Sequence, residues 1–156
     1  MKRIILIGVA IFSTLISFNT MAQRNMTPEQ MAGMSVANRQ AVFKLLGFSM
    51  GPLQGMARGG DFDQAVAIRA LERIQTLAPM IPELFASDTT AYDFETRALN
   101  GIWSDMDGFA NAANDLVMGA TAAIDLINSQ GADGVRSAIQ QVGPTCGACH
   151  DAYRAE

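Results

Sequence analysis

Cys146-Gly147-Ala148-Cys149-His150 contains both cysteines and the single histidine of a 156-residue chain. On a helix, residues i and i+3 share a face with Cβ atoms about 5–6 Å apart. Two thiols so placed can add to two vinyl groups along one edge of a flat macrocycle. The adjacent imidazole then reaches the metal at its centre. C-x-x-C-H is the attachment pattern of c-type haem, with the histidine as axial iron ligand. Other chemistries fit less well. A structural zinc site needs four protein ligands, and two Cys with one His fall short unless a carboxylate joins. A thioredoxin-type C-x-x-C sits in a βαβ context, and no strand pattern precedes Cys146. A disulfide across a three-residue step would be strained.

The N-terminus points the same way. Lys2 and Arg3 precede an apolar stretch from Ile4 to Phe18, broken by Ser13, Thr14 and Ser17, and Thr20-Met21-Ala22 supplies small residues for cleavage before Gln23. This reads as a secretory signal over residues 1–22, the uninterrupted apolar run being short for a membrane span. Export leads to a bacterial-type periplasm, where c-type haem is attached. Such a compartment favours disulfides, so committing both cysteines to haem accounts for the lack of others.

Residues 23–156 are about the size of one domain. Without Lys2 and Arg3, nine basic residues face fifteen acidic ones. Haem propionates would add further negative charge. Nucleic acid and anionic membrane surfaces are not expected partners; a basic redox partner would be compatible.

The elements that must position the motif all read as helix. Thr27-Pro28-Glu29-Gln30 is a capping box with Pro at the first helical position. Met31, Met34, Asn38, Val42, Leu45, Ser49, Leu53 and Met56 then form the expected inward face, as far as Gly59-Gly60. Asp61 is expected to cap a second helix with Val66, Ile68, Leu71, Ile74, Leu77 and Ala78 inward, stopped by Pro79 and Pro82. A loop should run from Glu83 to about Phe94. In the third helix Ile102, Met106, Phe109, Ala113, Leu116, Ala120, Ala123 and Ile127 step 4-3-4-3-4-3-4, the seam of a left-handed bundle. Gly131 ends it and Asp133 opens the last helix, through Val135, Ile139 and Val142 to the motif. Pro144 removes one helical hydrogen bond, so a kink or restart is expected there. The pattern predicts an all-α, antiparallel up-down-up-down four-helix bundle with the covalently bound haem in its interior.

Cys146-Gly-Ala-Cys-His150-Asp-Ala-Tyr153-Arg154 resembles the C-terminal signature of class II c-type cytochromes, specifically the cytochromes c′. Arg39-Gln40-Ala-Val-Phe43-Lys44 is similar to the family's first-helix pattern. Thr96-Arg97-Ala98, followed by Ile102-Trp103, is similar to the start of its third helix. Class I cytochromes carry the haem motif near the N-terminus with a Met ligand downstream. Here six residues follow His150 and none is Met, so that arrangement is not expected.

The resemblance implies haem c held by Cys146 and Cys149, with His150 on the iron. It implies haem contacts from Arg39, Gln40, Thr96, Arg97 and Arg154, arginine–propionate pairing being charge-assisted. It places Phe43 over the opposite iron face. Low-spin, electron-carrying relatives have a ligating Met at that position, whereas cytochromes c′ have an apolar residue and five-coordinate iron. Phe has no lone pair to donate. Met34 and Met50 lie about two helical turns from Phe43, far for a substitute ligand.

Two function classes follow: a five-coordinate, high-spin haem protein binding nitric oxide (NO) or carbon monoxide (CO), and an electron carrier working with redox partner proteins. The alternative is a six-coordinate, low-spin carrier only. An enzyme is not expected, since peroxide chemistry needs a polar distal acid–base group and there is no second His. A homodimer through the first two helices is implied, with Met31, Met34, Met50 and Met56 as an adaptable apolar surface.

Overall fold

The computed structural model describes residues 26–156. The expected leader over residues 1–22 and its cleavage site lie outside the described residues. Helix α1 spans Pro28–Ala57 and opens with the capping box: Gln30 N–H donates to Thr27 Oγ1 at 3.2 Å, and Thr27 N–H donates to Gln30 Oε1 at 2.9 Å. Its buried face is Ala32, Val36, Arg39, Val42, Ser49 and Leu53. This corrects the expected stripe, because Met31, Met34 and Leu45 are each about half exposed and Asn38 is exposed. In the first turns the buried residues are Ala32 and Val36, and neighbouring chain comes close at Gly33. A Cβ on Gly33 would lie 3.3 Å from the Phe94 ring.

Helix α2, Gln64–Leu77, is capped two residues after Asp61 rather than at it. Asp63 is the cap, its Oδ1 accepting from Val66 N–H at 2.9 Å. Helix α2 does end just before Pro79, but Pro82 does not keep the chain from turning helical again. A further turn, α3 (Met80–Leu84), follows at once, with Pro82 in its first turn, where no intrahelical N–H is required. The irregular segment therefore begins at Phe85. A 3-10 turn, Asn100–Ser104, leads into α4, Met106–Gln130, capped by Asp105. Of the eight seam positions only Met106 is less than fully buried. Gly131 closes α4 with φ +57°, a value that favours glycine. Asp133 lies within a 3-10 turn, Gly131–Gly134, and α5 starts after it at Val135.

Helix α5 runs unbroken from Val135 to Tyr153 through Pro144, so the expected restart does not occur. Gln140, whose carbonyl loses its donor, and Pro144 are both exposed. Water can take the missing bond, and the helix continues.

Helices α1, α2, α4 and α5 form an all-α four-helix bundle in which α1 and α4 each pack on α2, and α5 packs on α4 and α1. No residue among those described lies in a strand, apart from an isolated bridge between Ala98 and Arg154. No described helix is long and apolar enough to cross a membrane. The core is divided. One cluster is built on Leu53, Leu71, Ile74, Ile127 and Val142, the other on Val42, Ile81, Phe85, Ile102 and Phe109. Cys146 packs on the first and Cys149 on the second.

Close contact of α4 with α5 depends on Gly119, where an added Cβ would lie 2.6 Å from the Gln141 carbonyl oxygen. Elsewhere in a helix Gly→Ala stabilises by about 1 kcal/mol. At this position the overlap is with backbone and cannot be relieved by a rotamer. We expect Gly119→Ala to destabilise the protein by about 1–3 kcal/mol, read from denaturant midpoints. An unchanged or raised midpoint would show that the helices stand further apart.

Candidate cofactor site

The last turns of α5 place Cys146, Cys149 and His150 on one wall of a cavity of about 770 Å³ lying between the two core clusters. Ligand pockets span about 300–1,000 Å³, so the space suits a large cofactor. Ile74, Ile102, Phe109, Leu116 and Val142 contribute to its apolar surface. Both cysteines are free and half-buried. Burial pushes both thiols up; Thr145 pulls Cys146 back, while Cys146 raises and Arg154 lowers Cys149. Burial and then Arg154 push the His150 imidazole down, with Asp151 acting the other way and Arg97 adding to the decrease. The ring is therefore neutral at pH 7, with the lone pair a metal ligand needs.

All the residues expected to contact a haem border this one cavity: Arg39, Gln40 and Phe43 from α1, Thr96 and Arg97 from the irregular segment, and Arg154 after α5. Their surroundings differ. Arg39 is 4 % exposed. It donates through Nε to Leu84 O at 2.9 Å and through Nη1 to Thr89 Oγ1 at 2.7 Å, and Nη2 bonds Ser87 O. Its guanidinium stacks 4.5 Å from the centre of Phe85 and 5.4 Å from that of Trp103. Burial pushes its pKa down and Asp88 offsets part of that. Five N–H donors serve three acceptors here, so Arg39 ties α1 to residues 84–89 and keeps two donors.

Gln40 Nε2 donates to Glu95 O at 2.9 Å. Arg97 donates to Ala155 O through Nε at 3.0 Å and Nη2 at 2.6 Å. Ala155 N–H returns a bond to Arg97 O at 2.8 Å, and Leu99 N–H bonds Tyr153 O at 3.0 Å. These bonds pin the chain after His150 against residues 96–99. That segment is extended, and the Thr96-Arg97-Ala98 stretch therefore precedes the third long helix rather than opening it.

Phe43 is 39 % exposed, and its ring stands edge-on to Phe85 at 6.3 Å. Phe85 in turn packs on Trp103 at 6.0 Å and Phe109 at 4.9 Å. Phe85 was absent from the residues expected at the site because it falls in the expected loop; its signal was an aromatic shortly after Pro82. Lys44, Met50 and Glu95 also line the cavity. Met50 is seven residues from Phe43, hence on the same helix face and about 10 Å further along the axis.

Tyr153 also lines the cavity, its Oη donating to Asp105 Oδ2 at 2.6 Å. This bond to the Asp105 carboxylate, with burial adding to it, pushes the phenol up to about 12. A phenol raised from about 10 stabilises the fold fully below pH 10 and loses that contribution as pH climbs toward 12. We expect Tyr153→Phe to cost about 1 kcal/mol at pH 7 and to flatten the decline in stability between pH 10 and 12. Parallel wild-type and variant pH profiles would contradict this.

The arrangement fits a haem: a large apolar space, two thiols a helical turn apart, a neutral imidazole beside them and cationic side chains at the opening. Comparison with known proteins agrees. The sequence profile of the Cytochrome C′ family matches residues 34–154. A cytochrome c′ of Cereibacter sphaeroides is 35% identical over 122 residues, covering 76% of this chain and 81% of its own. A cytochrome c-554 of the same organism is 30% identical over 155 residues, covering 94% and 95%. The solved structure of cytochrome c′ from Rhodopseudomonas palustris is 32% identical, with a TM-score of 0.71 over 78% of this chain and 96% of its own. The chain belongs to the Cytochrome C′ family: it is a class II c-type cytochrome whose cofactor is covalently attached haem c.

Proposed function

We propose that the protein is a periplasmic cytochrome whose haem iron is five-coordinate and high-spin. Cys146 and Cys149 hold the haem through thioethers and His150 ligates the iron. Gln40, Thr96, Arg97, Arg154 and the two remaining donors of Arg39 meet its polar edge. Bound there, the haem supplies an iron that takes up NO or CO and exchanges single electrons with redox partners.

The observation that carries this reading is Phe43: the side chain at the family's distal position borders the same cavity as His150 and has no lone pair to offer. Its partial exposure gives the ring somewhere to swing when a diatomic ligand enters. No second imidazole exists to move protons on a bound peroxide, which supports a carrier or gas binder rather than an enzyme. The leader-like N-terminus supports export.

Electron paramagnetic resonance of the ferric protein tests the reading. An axial high-spin signal is expected; a purely low-spin spectrum would replace it with the second reading, a six-coordinate electron carrier. Met50 favours that alternative, because it is the one methionine among the residues lining the cavity.

The protein pairs as a homodimer through α1 and α2. Of the four methionines expected at the contact, Met31 and Met34 are exposed but Met50 and Met56 pack against the core. Leu45 and Phe48 take their place, Phe48 being 67 % exposed beside a groove lined by Leu77, Arg69, Glu72 and Arg73. Light scattering should give twice the chain mass, and Phe48→Glu should give a single-chain mass. A wild-type monomer at high concentration would contradict this.

A further inference from the structure

The chain as a whole carries −4 at pH 7, yet the charges around the cavity have the opposite sign. Lys44 on α1, Arg97 on the extended segment and Arg154 after α5 are exposed and border the opening, against one exposed carboxylate, Glu95. Arg39 adds a buried cation to the wall behind them. Asp151 is exposed beside His150 but lies outside the lining, and Asp105 is engaged by Tyr153. With two ionised propionates at the same opening, the four lining cations would face Glu95 and the propionates, and Asp88, outside the lining, opposes part of the Arg39 charge. An apolar wall of low dielectric focuses such a field outward.

We infer that the cavity mouth is the docking face for an acidic one-electron redox protein, although the protein itself is acidic. This rests on the redox part of the proposed function and names the class of partner. Three chain segments bring their cations to one rim, so a carboxylate-rich surface can approach the haem edge while the rest of the molecule repels it. Orientation and encounter rate then come from the same charges. The transfer moves one electron from the ferrous haem protein to the partner's oxidised centre, leaving the protein ferric and the partner reduced by one.

Stopped-flow oxidation of the ferrous holoprotein by hexacyanoferrate(III), an anionic one-electron oxidant, tests the sign of the field. The screening length falls from about 30 Å at 0.01 M salt to about 8 Å at 0.15 M. The rate should drop about threefold or more over that range, whereas reduction of the ferric protein by the cationic hexaammineruthenium(II) should accelerate. Lys44→Glu, a change at an exposed side chain, should weaken both trends. Oligoglutamate, presenting the carboxylates of such a partner, should inhibit the hexacyanoferrate reaction, and oligolysine should not. A hexacyanoferrate rate that rises with salt, as the net charge alone dictates, or inhibition by oligolysine instead, would overturn the docking face. No reaction with either reagent would overturn the redox reading on which it rests.

Discussion

Cys146→Ala/Cys149→Ala protein should yield haem to acidified organic solvent and, once emptied, should not hold the bundle described here. The magnitude follows from the cavity. Buried empty volume costs about 24 cal/mol per Å³, so a void of about 770 Å³ has a ceiling near 18 kcal/mol. Water entering at the open mouth lowers that figure. Even a third of it is comparable with the whole stability of a domain, about 5–15 kcal/mol. The two core clusters meet across this space and touch each other through few side chains, Leu46 among them. We therefore expect lost near-ultraviolet dichroism and a broadened thermal transition in the emptied variant. Haem that remains covalently bound after both substitutions would refute the attachment site.

Phe43→Met should turn the ferrous iron from high-spin toward six-coordinate and low-spin, because it offers a thioether where the wild type offers a ring. Phe43→Ala acts in the opposite sense and opens the face. The ring's contact with Phe85 at 6.3 Å is of the kind worth about 0.5–1.5 kcal/mol. Removing the need to break it should speed CO association roughly two- to tenfold. NO should be less affected, since its stronger bond to iron offsets the displacement. Flash photolysis of the CO complex reads the first rate directly. If Phe43→Ala leaves CO association unchanged, Phe43 does not guard the iron. If Phe43→Met stays high-spin, the helix holds residue 43 away from it.

The sequence was most informative where one requirement dominated. The seam was legible because a helix packed on two neighbours must repeat its apolar residues: seven of its eight positions lie in α4, Ile102 sits in the 3-10 turn before it, and each faces inward to some degree. The haem c cofactor was legible in C-x-x-C-H because thioether attachment and iron ligation would dictate types, order and spacing together. Helix α1 was harder. Large methionines at 31 and 34 looked like core, but Ala32 and Val36 are the buried residues of these turns, and Phe94 comes close at Gly33 between them. Arg39 was expected at a propionate. Its burial, its stacking on two aromatics and its bonds to residues 84–89 depend on a segment with no periodicity to read. Phe85 was hidden for the same reason, although its ring contacts Phe43, Trp103, Phe109 and Arg39. Pro144 shows the limit of a local rule: its cost is small where the carbonyl it abandons faces water.

We propose a covalent haem with His150 on one side of the iron and only the Phe43 ring on the other. One optical measurement addresses it: the absorption spectrum of the dithionite-reduced protein before and after CO is added. We expect a broad, high-spin ferrous spectrum that changes to that of a CO complex. A sharp, low-spin ferrous spectrum that CO leaves unaltered would contradict the claim and establish a native sixth ligand.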